Sequence, residues 1–106
     1  MGPVPALLEE IVRRTVECVH PLRIVLFGSA ARGELGPDSD LDLLVVVANG
    51  VDRLDAARRL HRRLRGLDCA KDIVVVCQED VERYQDNPYL VVHTALAEGR
   101  ELYHAA

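Results

Sequence analysis

At 106 residues, without internal repeats or low-complexity stretches, the chain is sized for one domain. Its formal charge of −4, from 17 acidic against 13 basic side chains, argues against a general nucleic-acid binder. Cys18, Cys69 and Cys77 form no CxxC or other zinc spacing and sit beside apolar residues, so they read as reduced thiols, consistent with a cytoplasmic setting and not with a disulfide framework. No apolar run approaches membrane-spanning length, and Met1-Gly2-Pro3-Val4-Pro5 leads straight into an amphipathic pattern without a signal peptide. A chain this short buries only part of its surface, which leaves room for a partner or a homo-oligomer.

Pro5 to Val19 places Leu7, Leu8, Ile11, Val12, Val16 and Val19 at helical spacing, with Glu9, Glu10, Arg13, Arg14 and Glu17 on the other side. This predicts a packing helix that His20 and Pro21 end. Arg23 to Phe27 is apolar and β-rich and predicts a buried strand. Gly28 allows a sharp turn or a close approach to a ligand, and Ser29 is a good N-cap for a short helix through Ala30, Ala31 and Arg32. Such a helix start presents unpaired N–H groups to a phosphate, and Arg32 can add a contact; the plain alternative is an ordinary capped turn. Gly36, Pro37, Asp38 and Ser39 are loop formers. Leu41 to Val47 is an apolar run broken only by Asp42. Residues i and i+2 of a strand share a face, so Asp40 and Asp42 project together with Cα atoms about 6–7 Å apart. Two carboxylates at that spacing suit Mg²⁺, which also takes substrate phosphates; otherwise they solubilise the start of a strand. A carboxylate inside a Leu/Val run is costly without a partner, which favours the metal reading.

Asn49-Gly50 is a turn. Val51 to Leu67 predicts a second amphipathic helix, with Leu54, Leu60, Leu64 and Leu67 as its apolar side. Its other side carries Arg53, Arg58, Arg59, Arg62, Arg63 and Arg65. That side reads as a solvated face partly balanced by Asp52 and Asp55, as a docking face for an acidic partner surface, or as an RNA contact. Lys71 to Cys77 is a third strand with Asp72 at its start, and Asp68 lies in the loop before it. Gln78 to Gln85 is a short helix or turn, broken at Asn87-Pro88. Tyr89 to Glu98 predicts a last helix with Leu90, Val91, Thr94, Ala95 and Leu96 on its apolar side. Gly99 suits the position just past it, and Glu101-Leu102-Tyr103 packs back or adds a short strand.

Gly28-Ser29, ten residues, then Asp40-Leu41-Asp42 resembles the signature of the nucleotidyltransferase superfamily to which DNA polymerase beta belongs. The wording FGSAARGELGPDSDLDLLV resembles the minimal nucleotidyltransferase (MNT) proteins. Those often carry Arg directly after the Gly-Ser; here Ala30 stands there, while Arg32 and Gly33 match. The fold this implies is α/β, a small mixed sheet of three to four strands with helices mainly on one face, residues 1–106 forming a single nucleotidyltransferase domain. The implied catalytic and metal-binding set is Asp40, Asp42 and Asp72, holding two Mg²⁺ ions, with Asp68 as the fallback for the third carboxylate. Nucleotide contacts are implied for Gly28, Ser29, Arg32 and Ser39.

The substrate implied is ATP, attacked at its α-phosphorus by an acceptor hydroxyl with release of pyrophosphate. The length suits the catalytic core alone, so the acceptor is expected to bring its own binding surface. MNT proteins are commonly paired with a helical HEPN protein, a ribonuclease toxin. The implied role is therefore an antitoxin that transfers AMP to a tyrosine hydroxyl of that partner, without a membrane or direct nucleic-acid binding. The alternatives are an antitoxin that masks its partner by contact alone, and a transferase for a small hydroxylated molecule such as an aminoglycoside.

Overall fold

In a computed structural model, which describes residues 5–28, 41–67, 71–87 and 90–105, the three apolar runs become strands β1 (Arg23–Phe27), β2 (Leu41–Val47) and β3 (Lys71–Cys77). The C-terminal segment adds β4 (Arg100–His104). The helices are α1 (Pro5–Val19), α2 (Arg53–Arg63), α3 (Gln78–Tyr84) and α4 (Val91–Glu98). The Ser29 turn with its short helix, residues 36–40, Asp68, Cys69, Pro88 and Tyr89 lie outside the described residues.

The sheet has four strands in the order β3-β2-β1-β4 and is mixed. β1 pairs antiparallel with β2 and with β4, the latter through a register shift between Ile24 and Val25; β2 pairs in parallel with β3. The parallel pair needs a crossover, and α2 supplies it. Every residue of β2 except Asp42 is buried, as expected for a strand covered on both faces.

The two long helices take one face. Leu8 and Ile11 of α1, with Leu64, pack on Ile24, Leu26, Leu41 and Leu43. Val19, Ala56 and Leu60 pack on Val45 and Val47. The two short helices cover the other face, where Val81, Val92 and Ala95 meet Val25, Phe27, Leu44 and Val46. Arg14 ties α1 to the end of α2 by donating to the carbonyls of Arg63 (3.1 Å) and Arg65 (3.4 Å). Glu10 in turn accepts from Arg13 and Arg14, whose guanidinium groups hold its carboxyl down at about 2.

Three details depart from the sequence expectations. α2 is shorter than residues 51–67: Asp52 caps it by accepting from the Asp55 N–H (3.1 Å), and its inner side is Ala56, Leu60 and Leu64. Leu54, expected inside, is 69% exposed, because it stands off the stripe through positions 56, 60 and 64. In α4 the buried residues are Val92 and Ala95, and Leu90 and Val91 face solvent. Gly99 follows the helix in an extended conformation (φ −82°, ψ 169°) and leads straight into β4. A Cβ there would overlap the Ala95 carbonyl oxygen and come within 2.5 Å of Val25 Cγ1 and 2.9 Å of the Leu26 carbonyl oxygen. Gly99 thus serves close packing of α4 on β1, not a left-handed cap.

Two stability predictions follow from this packing. Gly99→Ala is expected to destabilise the fold by about 1–3 kcal/mol, since backbone lies on two sides of the new methyl. Thermal melts measure it, and an unchanged melting temperature would contradict the packing. The second concerns Asp80, which accepts from the backbone N–H and Sγ–H of Cys77 (both 3.1 Å) and pairs with Arg53 (2.7 Å). These donors hold its carboxyl below the usual range, the Cys77 N–H first. A depressed folded value stabilises above the unfolded one and is lost as pH falls through the folded one. Asp80→Asn is expected to cost about 1 kcal/mol at neutral pH in urea unfolding, with the difference from wild type shrinking below about pH 4.

Candidate active site

The site is built where β1 ends and where β2 and β3 begin. In the parallel register Asp42 lies directly beside Asp72, and in the antiparallel register it lies opposite Phe27, the last residue of β1. Side chains alternate along a strand, so Asp42 shares the face of Leu44 and Val46, and Asp72 that of Val74 and Val76. The two carboxylates therefore rise from one face of neighbouring strands, whose spacing is about 4.8 Å. Asp42 is half-buried and Asp72 exposed, so the pair grades from the sheet interior to solvent.

Gly28 completes this corner. Its φ of +74° lies in the left-handed region that glycine tolerates best. A Cβ at this position would fall on Oδ2 of Asp42. The missing side chain is the space that the Asp42 carboxylate occupies. The sequence marks Gly28 as a point of close approach but not the atom approached, which only the β1–β2 register reveals.

Like charges side by side across strands oppose folding unless something cationic joins them. The donors present are carboxylate oxygens, a hard set that suits Mg²⁺ and not a softer metal. Asp42 and Asp72 would hold it. Among the described residues no three His, Cys, Asp or Glu side chains gather as a metal-ligand set. Asp40, Ser29, Arg32 and Ser39, the rest of the expected site, lie outside the described residues, as does Asp68.

The nucleotidyltransferase domain family matches residues 6–100. Among solved structures, one assigned as a minimal nucleotidyltransferase is 32% identical, with a TM-score of 0.65, covering 90% of this chain and 88% of that one. The chain belongs to the nucleotidyltransferase domain family and, within it, to the minimal nucleotidyltransferases, whose fold it has. A toxin–antitoxin structure with AMP-PNP is 22% identical, with a TM-score of 0.66, over 92% of this chain and 73% of that chain. A complex of a tri-AMPylated Shewanella oneidensis HEPN toxin with its MNT antitoxin matches at 19% identity and a TM-score of 0.59, over 94% and 71%. No curated protein sequence matches the chain.

The Gly28–Asp42 contact can be tested by a double-mutant cycle. Gly28→Ala alone is expected to cost at least about 1–2 kcal/mol for the left-handed backbone, plus a steric share against Asp42. In the Gly28→Ala/Asp42→Ala double variant that steric share disappears, so the two effects should not add. Urea unfolding of the four proteins gives the coupling, and strict additivity would contradict the contact.

Proposed function

We propose that the chain is an antitoxin that transfers AMP from ATP to a hydroxyl, that of a tyrosine, on a HEPN-type toxin partner. The observation that carries the transfer chemistry is the side-by-side placement of Asp42 and Asp72 at the starts of β2 and β3, with Gly28 at the end of β1 against Asp42. A nucleotidyltransferase fold with two carboxylates at one sheet end supports phosphoryl chemistry, and the AMP-PNP and AMPylated neighbours support the nucleotide and the kind of acceptor.

In this reading the turn after Gly28, with Ser29, Arg32 and Ser39, holds the β- and γ-phosphates through backbone N–H groups and side-chain donors. Asp40, Asp42 and Asp72 face the triphosphate, and Asp72, more exposed than Asp42, receives the acceptor. Mg²⁺ bound by these carboxylates supplies charge neutralisation for the triphosphate and a lowered pKa for the acceptor hydroxyl. The acceptor oxygen attacks the α-phosphorus, the bond to the β-phosphate oxygen breaks, and pyrophosphate leaves. Asp72 takes the hydroxyl proton. The product is an AMP ester on the partner. No helix among the described residues is long and apolar enough to cross a membrane, and Cys18 and Cys77 are free thiols, which suits a cytoplasmic partner.

The test is mass spectrometry of the HEPN-type partner after incubation with the chain, ATP and Mg²⁺. Asp72→Asn is expected to lower transfer at least about a hundredfold while ATP binding stays near wild type. Ser29→Ala is expected to weaken ATP binding first. Transfer undiminished in Asp72→Asn would move the third carboxylate to Asp68. Equal ATP affinity with Mg²⁺ and with EDTA would contradict the metal-dependent site.

A further inference from the structure

The outward side of α2 is more specific than a solvated helix face. Of the six arginines on residues 51–67, three are held within the molecule: Arg53 by Asp80 (2.7 Å), Arg59 by Asp55 (3.3 Å) and Arg63 by Glu17 (2.7 Å). Arg58, Arg62 and Arg65 are exposed and make no ion pair among the described residues. Together with Leu54 they fall at spacings of four, eight and eleven residues, one stripe along the helix and its following turn. Leu54 heads that stripe at 69% exposure, the most exposed of the large apolar side chains described, with Val51 at 36% beside it.

The surface around the stripe is concave at both ends. Leu54, Val51, Ala57 and Val75, together with Asp52 and Arg53, line a groove of about 500 Å³. Arg59, Arg62, Arg63 and Cys18 line a smaller depression of about 330 Å³. An apolar anchor in a groove, followed by uncommitted guanidinium groups, is the composition of a protein-docking surface, where Arg is enriched.

The charge pattern selects the occupant. The chain as a whole carries −4, so a polyanionic nucleic acid meets net repulsion, and the stripe offers no aromatic side chain on which a base could stack. A folded partner with a local acidic patch meets only the local field, which acts within a Debye length of about 8 Å. The position of the helix adds a second argument. Ala56 and Leu60 pack on Val45 and Val47 at the end of β2, whereas Leu64 packs on Leu41 and Leu43 at its start. α2 therefore runs back along the sheet, and its Arg62–Arg65 end lies at the sheet end where Asp42 and Asp72 begin their strands.

We propose that this face of α2 docks an acidic surface of the toxin partner, with Leu54 as the apolar anchor and Arg58, Arg62 and Arg65 meeting carboxylates. Docking along the stripe holds the partner at the sheet end where the strands of Asp42 and Asp72 begin, on the opposite face of the sheet from the two carboxylates. The inference rests on the toxin–antitoxin reading above.

The test uses the full chain and the purified HEPN-type partner in surface plasmon resonance at two salt concentrations. Arg58→Glu/Arg62→Glu/Arg65→Glu is expected to weaken binding at least about tenfold, mainly through a slower association with flattened salt dependence. The milder Arg58→Gln/Arg62→Gln/Arg65→Gln should fall between. Leu54→Asp should act through faster dissociation. ATP affinity and thermal melts of all three should match wild type, which separates docking from folding. A wild-type complex that all three variants form within about twofold would overturn the proposal and leave the toxin–antitoxin reading standing. Failure of the wild type to bind or modify the partner would overturn both. Partner affinity kept, with binding of a single-stranded RNA oligonucleotide lost in the charge-reversed variant, would assign the face to nucleic acid and overturn the proposal.

Discussion

Seven residues of β2 pair in parallel with seven of β3, from Leu41 beside Lys71 to Val47 beside Cys77, and the candidate site depends on that alignment. A slip of one residue would send Asp72 to the face opposite Asp42, because the side-chain period of a strand is two. The alignment is held by burial and not by the carboxylates. Leu43, Leu44, Val45, Val46 and Val47 are all at most 1% exposed, so a shifted β2 would have to bury Asp42 or expose leucine. The core thereby sets the two carboxylates side by side.

The helices complete this constraint from both sides. α1 and α2 clamp the face of Leu41, Leu43, Val45 and Val47; α3 and α4 clamp that of Leu44 and Val46. Local devices keep the clamps in place: Arg14 on the last carbonyls of α2, Asp80 on the Cys77 N–H at the start of α3, and the bare Cα of Gly99 against Val25. None of them touches the carboxylates. They fix the sheet, and the sheet brings Gly28, Asp42 and Asp72 together at an end the helices leave accessible, as the exposure of Asp72 shows.

Much of this was legible in the sequence, and the pattern of what was not has a physical basis. The strands β1, β2 and β3 and the helix α1 fall on the predicted residues, because the strand runs are almost wholly apolar, α1 keeps its apolar residues at helical spacing, and stop signals such as His20-Pro21 and Asn49-Gly50 bound them. Helix faces were harder where leucines are sparse. Leu54 reads as core by type, yet Ala56 is buried because α2 lies close to the sheet and a small residue fits there. In α4, Val91 and Val92 are adjacent, and periodicity over eight residues cannot choose between them; packing on β1 selects Val92. Gly99 carries the composition of a helix stop, but its reason is a backbone contact from a strand more than seventy residues earlier. The paired aspartates of one motif were visible; that Asp72 would lie in register with Asp42 is a property of the sheet alone.

The central claim is that Asp42 and Asp72 act as one carboxylate site beside Gly28. Nuclear magnetic resonance with Mn²⁺ and ATP reads this directly, since a bound paramagnetic ion broadens nearby amide signals. The account predicts that substoichiometric Mn²⁺ with ATP broadens the amides of Gly28, Asp42 and Asp72 first, leaves those at the start of α2, which packs at the far end of β2, sharp, and loses the effect in Asp42→Asn. Broadening centred elsewhere, or undiminished in Asp42→Asn, would contradict it.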